Sequence, residues 1–141
     1  MYLSPEKYKE VFSLTPRLCV DIAVKMDGGF LLGRRDHEPF KDQYGLPGGR
    51  VKKGESITDA LNRIGLGEIN TEIDSFKLIN YCEFLNEESE YGNLHSVSLV
   101  FLCILKNVPQ IGFGFSELTN SNLVPYEKIM KPHRILFLDI L

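Results

Sequence analysis

The chain has 141 residues, 43% of them hydrophobic and 25% charged, with a net charge of −3. That length suits one domain with a real core and is short for two, and an acidic balance without a basic tract argues against nucleic acid as a partner. Apolar runs such as 97–105 are too short to span a bilayer, and the start MYLSPEKYKE lacks the apolar segment of a secretory leader. The expectation is therefore a cytoplasmic protein with neither nucleic acid nor membrane as partner. Cys19, Cys82 and Cys103 are odd in number and form no CxxC pair, so they read as buried free thiols.

Ser4-Pro5 is a helix start, and Tyr8, Val11 and Phe12 recur at helical spacing, so 4–13 reads as a short amphipathic helix ended by Thr15-Pro16. Strand-like runs Leu18–Lys25 and Phe30–Arg35 flank Asp27-Gly28-Gly29 and predict a hairpin. Asp21 stands inside the first run, where an acid costs stability unless it is paired or functional. The polar stretch 36–43 reads as a surface loop. Gly48 and Gly49 then permit close approach of the backbone to an ion or phosphate. Ser56 caps a helix whose stripe is Ile57, Ala60, Leu61 and Ile64, with Gly65 and Gly67 expected to end or distort it early. Phe76–Leu85 and Leu94–Leu105 predict a second hairpin around an acidic loop, 86–93. Ile111–Phe115 has weak strand character, and an apolar helix from Pro132 to Leu141 closes the chain. Strands and helices in this order predict an α/β sandwich with helices on both sides of a central mixed sheet.

Residues 49–68 read GRVKKGESITDALNRIGLGE. Gly49, Glu55, Arg63 and Glu68 are spaced as in the signature of the Nudix hydrolases, a superfamily acting on nucleoside diphosphates linked to another group, and the chain resembles that superfamily. It departs at Ile64, Gly65, Gly67 and Asn70, which stand where the pattern has Glu, an aliphatic residue, Glu and Gly. Carboxylates three or four apart on a helix share a face and gather hard cations. Here only Glu68 survives after Arg63, which favours one Mg²⁺ with the substrate's phosphates completing its shell. Glu55 then orients the loop or pairs with Arg63.

Within the superfamily the chain is most similar to the GDP-mannose mannosyl hydrolase branch. The matching features are Tyr2, Thr15-Pro16, Asp21, Phe30–Arg35, Pro47–Val51, and the reduction of the acid cluster to one Glu, with a weak return of likeness from His133-Arg134 to Leu138. The resemblance implies a single Nudix-type α/β/α domain over 1–141 and Mg²⁺-dependent hydrolysis of a nucleotide sugar at the C1–O bond, giving GDP and hexose. It also implies a homodimer formed through the N-terminal residues 1–13. It assigns the metal to Glu68 and the backbone of Gly48-Gly49, the diphosphate to Arg35, Arg50 and Arg63, and the sugar end to Asp21, with Glu83 standing where the branch has a substrate-side His. Arg63 has a second reading, as a partner of Glu55 alone. The branch places a general-base His on a late loop that here reads Gln110-Ile111-Gly112-Phe113-Gly114, so the base is expected at Glu83, an acid of 86–93 or His95, and a His at position 112 is expected to raise the rate. Two alternatives stand beside this reading: a Nudix pyrophosphohydrolase, and a nucleotide-sugar-binding protein that has lost its base.

Overall fold

The computed structural model describes residues 3–89 and 91–138. Its organising strand is β1 (Arg17–Ala23), buried from Cys19 to Ala23. Both edges of β1 are taken, by β5 (Gly48–Arg50) antiparallel and by β7 (Gly92–Leu105) parallel, and β6 (Ile73–Ser89) extends this mixed sheet along the far side of β7. In a second sheet β3 (Gly29–Arg35) pairs with β2 (Lys25–Met26), β4 (Tyr44–Gly45) and β8 (Phe115–Asn120). The hairpin expected around Asp27-Gly28-Gly29 is thus confined to Lys25–Met26 and Gly29–Phe30. With β5 and β7 occupying its edges, β1 has none left for β3, and the chain changes sheets at Val24.

Two apolar clusters separate the layers, because successive side chains of a strand face opposite sides. Val20 and Ile22 of β1 pack with Ala60, Leu61, Ile64 and Ile69 of α2 (Ile57–Ile69). Ala23 packs on the other side with Cys82, Val100, Phe30, Leu32 and Leu136, the last from α3 (Lys131–Leu138). The architecture is the expected helix-flanked mixed sheet. A first helix, α1 (Pro5–Phe12), starts as predicted, with Ser4 Oγ accepting from Lys7 N–H at 3.2 Å. Among the described residues no helix is long and apolar enough to cross a membrane.

The glycines of α2 do not end it. The helix runs through both and stops at Asn70, which takes a left-handed conformation (φ 56°) and returns its N–H to the Gly65 carbonyl. Gly costs a helix about 1 kcal/mol relative to Ala, but at position 65 the chain leaving the helix passes so close that a Cβ would lie 2.6 Å from the Thr71 carbonyl oxygen. Tertiary contact, not propensity, selects glycine there. Gly65→Ala should therefore destabilise the fold by about 1–3 kcal/mol despite its better helix propensity, as read from urea unfolding midpoints. An unchanged or raised midpoint would contradict the contact.

Three further segments differ from expectation. The acidic stretch 86–93 is mostly strand, pairing Glu87 with Leu94 and Glu88 with Asn93, because the Glu87 carboxylate is buried on Arg17 (3.4 Å) and the turn closes at Gly92 (φ 91°). Residues 111–114 form no strand: the N–H groups of Gly112 and Phe113 are spent on the carbonyls of Glu68 (2.9 Å) and Gly67 (2.7 Å) at the end of α2. The closing helix begins at Lys131, and the expected residues 139–141 lie outside the described residues. All three cysteines are free and buried, as expected. Burial pushes the Cys19 thiol up to about 11 and those of Cys82 and Cys103 up to about 12, which keeps them protonated at neutral pH.

Candidate active site

Asp21 is 6% exposed, and its partner was not visible in the sequence. His133 of α3, 2% exposed, places Nε2 3.0 Å from Asp21 Oδ2, while its Nδ1 lies 3.2 Å from the Leu46 N–H. A backbone N–H only donates, so Nδ1 accepts and the ring proton sits on Nε2, donated to the Asp21 carboxylate. The last helix thereby fixes an acid on the first strand. The weak likeness around His133-Arg134 was the sole sequence signal for this residue.

On β5, Gly48 pairs with Asp21 across the sheet, and a Cβ on Gly48 would collide with Asp21 Oδ1. The Gly48 N–H donates to Glu68 Oε1 at 3.1 Å, so the turn draws the α2 carboxylate toward Asp21. Burial pushes the Glu68 carboxyl up to about 7. The Gly48 N–H and the Arg35 guanidinium oppose that shift, and the Asp21 charge adds to it. Arg35 itself is lowered by desolvation, while Glu68, Glu87, Asp36 and Asp21 surround it electrostatically. Its Nε donates to the Pro39 carbonyl at 2.7 Å, which braces the guanidinium against the 36–43 loop. Glu87 was read as part of a loop. It is instead a buried member of this group, its carboxyl raised by burial and held by Arg17 and Ser96.

The other candidates are placed as follows. Arg63 grips Glu55 through two bonds, Nε to Oε2 at 2.7 Å and Nη2 to Oε1 at 2.9 Å, and also donates to the Arg50 carbonyl at 2.7 Å. It is a clamp between α2 and β5, near enough to Glu68 to stabilise its charge. That fork holds the Glu55 carboxyl down near 2, well below its ordinary 4.5. A depressed acid stabilises the fold above pH 4.5 and loses that contribution as pH falls toward 2. Glu55→Gln should then cost about 2 kcal/mol at pH 7 and flatten the acid limb of the stability curve between pH 4.5 and 2, which denaturant titrations at several pH values measure.

Arg50 shares its face of the sheet with Cys19 and Asp21, and its guanidinium lies over the rings of Tyr8 (5.6 Å) and Phe12 (5.3 Å) of α1. Glu83 departs from its assignment. It is exposed between buried Cys82 and Phe84, so it faces away from the side of β6 that meets Asp21. His95 is likewise exposed on β7, opposite buried Leu94 and Ser96. A His at position 112 is excluded by geometry: the Cα of Gly112 is pressed on the backbone of Gly67 and Glu68, where a Cβ would lie 2.8 Å from the Glu68 carbonyl oxygen.

Two groups of donors invite a metal. Ligand atoms of Asp21, Cys82 and His133 lie within 4.8 Å of one another. An ion there would have to displace the Nε2 proton while Nδ1 accepts from Leu46, leaving an imidazolate, and would have to ionise a thiol pushed up to about 12. This trio fits a buried hydrogen-bonded group better than a metal centre. Glu68 with the Gly48-Gly49 backbone offers hard oxygen atoms beside a second carboxylate, a donor set suited to one Mg²⁺-like ion.

A helix-flanked mixed sheet carrying the spaced Gly49, Glu55, Arg63 and Glu68 defines the class. The chain belongs to the NUDIX domain family, whose model matches residues 15–138. Members of the family generally use divalent metal ions. The chain is 29% identical over 91 residues to the low-salt glycan biosynthesis protein Agl8 of Haloferax volcanii, covering 64% of this chain and 58% of that protein. It is 40% identical over 50 residues to the ADP-ribose pyrophosphatase of Methanocaldococcus jannaschii, covering 36% of this chain and 30% of that one. The match thus spans less than two thirds of either relative. The MutT NUDIX hydrolase from Burkholderia pseudomallei has the same fold, with a TM-score of 0.78 over 90% of this chain and 99% of that one at 23% identity.

Proposed function

We propose that the protein hydrolyses a nucleoside diphosphate joined to a sugar, breaking the C1–O bond in the manner of a GDP-mannose mannosyl hydrolase. The observation that supports this is the convergence of a single α2 acid, Glu68, with Asp21 and Arg35 around the Gly48 turn. One bound Mg²⁺ would neutralise the diphosphate's charge there. Arg35 donates to the departing diphosphate, with Arg50 and Arg63 at the margin, a task suited to planar guanidinium forks. Asp21, held immobile by His133, presents fixed negative charge to an oxocarbenium-like sugar. The acids that would assemble a larger metal cluster for attack within the diphosphate are reduced after Arg63 to Glu68, which ranks that reaction second. The reading includes a cytoplasmic homodimer formed through the N-terminal region.

A second reading, cleavage of the phosphoanhydride, is favoured by the 40% identity to an ADP-ribose pyrophosphatase. Incubation with GDP-mannose, ADP-ribose and other nucleotide sugars in Mg²⁺, followed by product identification, decides between them. Intact nucleoside diphosphate plus free sugar supports the first. Nucleoside monophosphate plus sugar phosphate supports the second, and binding without turnover supports a non-catalytic role.

A further inference from the structure

Hydrolysis needs a group that takes a proton from water, and the chain's three imidazoles differ in fitness for that task. His133 is buried with both nitrogens engaged, and His95 is exposed on the face of β7 opposite the one that meets Asp21. Glu87 is 8% exposed and enclosed by Arg17 and Ser96. His37, on the loop after β3, is different. Its Nε2 lies 3.1 Å from Arg35 Nη2, and its Nδ1 lies 2.8 Å from Asp36 Oδ1. A guanidinium only donates, so Nε2 carries the lone pair, and the ring proton sits on Nδ1, donated to Asp36. The ring is backed by Gly114 of the late loop, where a Cβ would come within 3.2 Å of Cε1. Half of its side chain, 49%, is open to solvent.

We propose that His37 is the general base of this site, oriented by Asp36 and gated by Arg35. In the free protein the Arg35 N–H occupies the Nε2 lone pair. A bound diphosphate draws that N–H to itself, and Nε2 is released to a water. The water's proton passes to Nε2 as its oxygen forms a bond to the electrophilic centre, and the bond to the leaving group breaks with its electron pair going to the departing oxygen. The imidazolium then keeps its Nδ1–H on the Asp36 carboxylate and returns the Nε2 proton to solvent through its open edge. Among the described residues Asp36 and Arg35 are the charged groups bonded to the ring, Glu68, Glu87 and Asp21 act electrostatically on Arg35, and the late loop brings the Gly114 backbone against the ring.

This inference rests on the hydrolase reading and holds whichever bond breaks. The test compares wild type with His37→Gln, His37→Ala and Asp36→Asn on the substrate that wild type turns over, following kcat, KM and pH-rate profiles, with calorimetric titration of GDP and Mg²⁺. Both His37 variants should lose about 10²–10⁴-fold in kcat and the ascending acid limb, with GDP affinity retained, and Asp36→Asn should fall between them and wild type. A loss below about tenfold in both His37 variants, or an acid limb of kcat that persists in them unchanged at saturating Mg²⁺, where Glu68 is held ionised by the metal, overturns the base assignment while leaving the hydrolase reading intact. A wild type that turns over no nucleoside diphosphate derivative overturns both together.

Discussion

Glu68→Gln is expected to lower divalent-dependent turnover by at least about 100-fold, more than loss of a group merely supporting a ligand, while the fold persists. The same substitution should make the metal-free protein more stable at alkaline pH. Burial holds the Glu68 carboxyl near 7 in the fold, above its ordinary 4.5. An acid raised on folding leaves stability intact below pH 4.5 and erodes it as pH climbs to about 7, because the unfolded chain releases the proton first. Gln carries no such penalty. Thermal melts without metal should therefore show the variant above wild type at pH 8 and level with it at pH 4. Added Mg²⁺ should raise the melting temperature of wild type alone, since a ligand stabilises only the form that binds it. A variant still stabilised by Mg²⁺ would remove Glu68 from the metal site.

His133→Ala should cost about 3 kcal/mol of stability, because it strips a neutral imidazole donor from a buried carboxylate and leaves that charge without its hydrogen bond. It leaves the Asp21 carboxylate enclosed without its imidazole and the Leu46 N–H without an acceptor. Because the two residues act as a unit, Asp21→Ala with His133→Ala should cost clearly less than the sum of the single changes. Guanidinium denaturation of the four proteins of the cycle measures the coupling. Additive losses would show that the pair contributes nothing as a pair.

How much was legible in the sequence depends on how local each determinant is. Gly49, Glu55, Arg63 and Glu68 are bound by short spacing, so the clamp of Glu55 on Arg63 could be read directly, whereas a helix expected to end early at its glycines left Glu68 beyond it. The end of α2 could not, because the reason for Gly65 is the Thr71 carbonyl passing over it, a contact that helix propensity does not encode. Asp21 announced itself as an acid in an apolar run, but a histidine on the last helix is invisible to periodicity. Glu83 was misplaced because a strand's two faces are decided by register, and one step from Cys82 turns a side chain away from Asp21. His37 went unread in a polar loop, since only the folded chain brings Arg35 and Gly114 to its ring.

The bond between Asp21 and His133 joins residues 112 apart in the chain, so the site's charge arrangement waits on the last helix to be made and docked. Joining ends so remote carries a loop-closure cost that the short-range contacts of the Gly49–Glu68 stretch largely escape. A nascent or partly folded chain can therefore carry the complete Gly49–Glu68 stretch on a formed helix while its central acid still lacks a partner. Proteolysis offers the reverse route to the same state: a cut in the largely exposed 122–128 stretch that freed α3 would leave every residue of the signature in place around a bare, buried carboxylate.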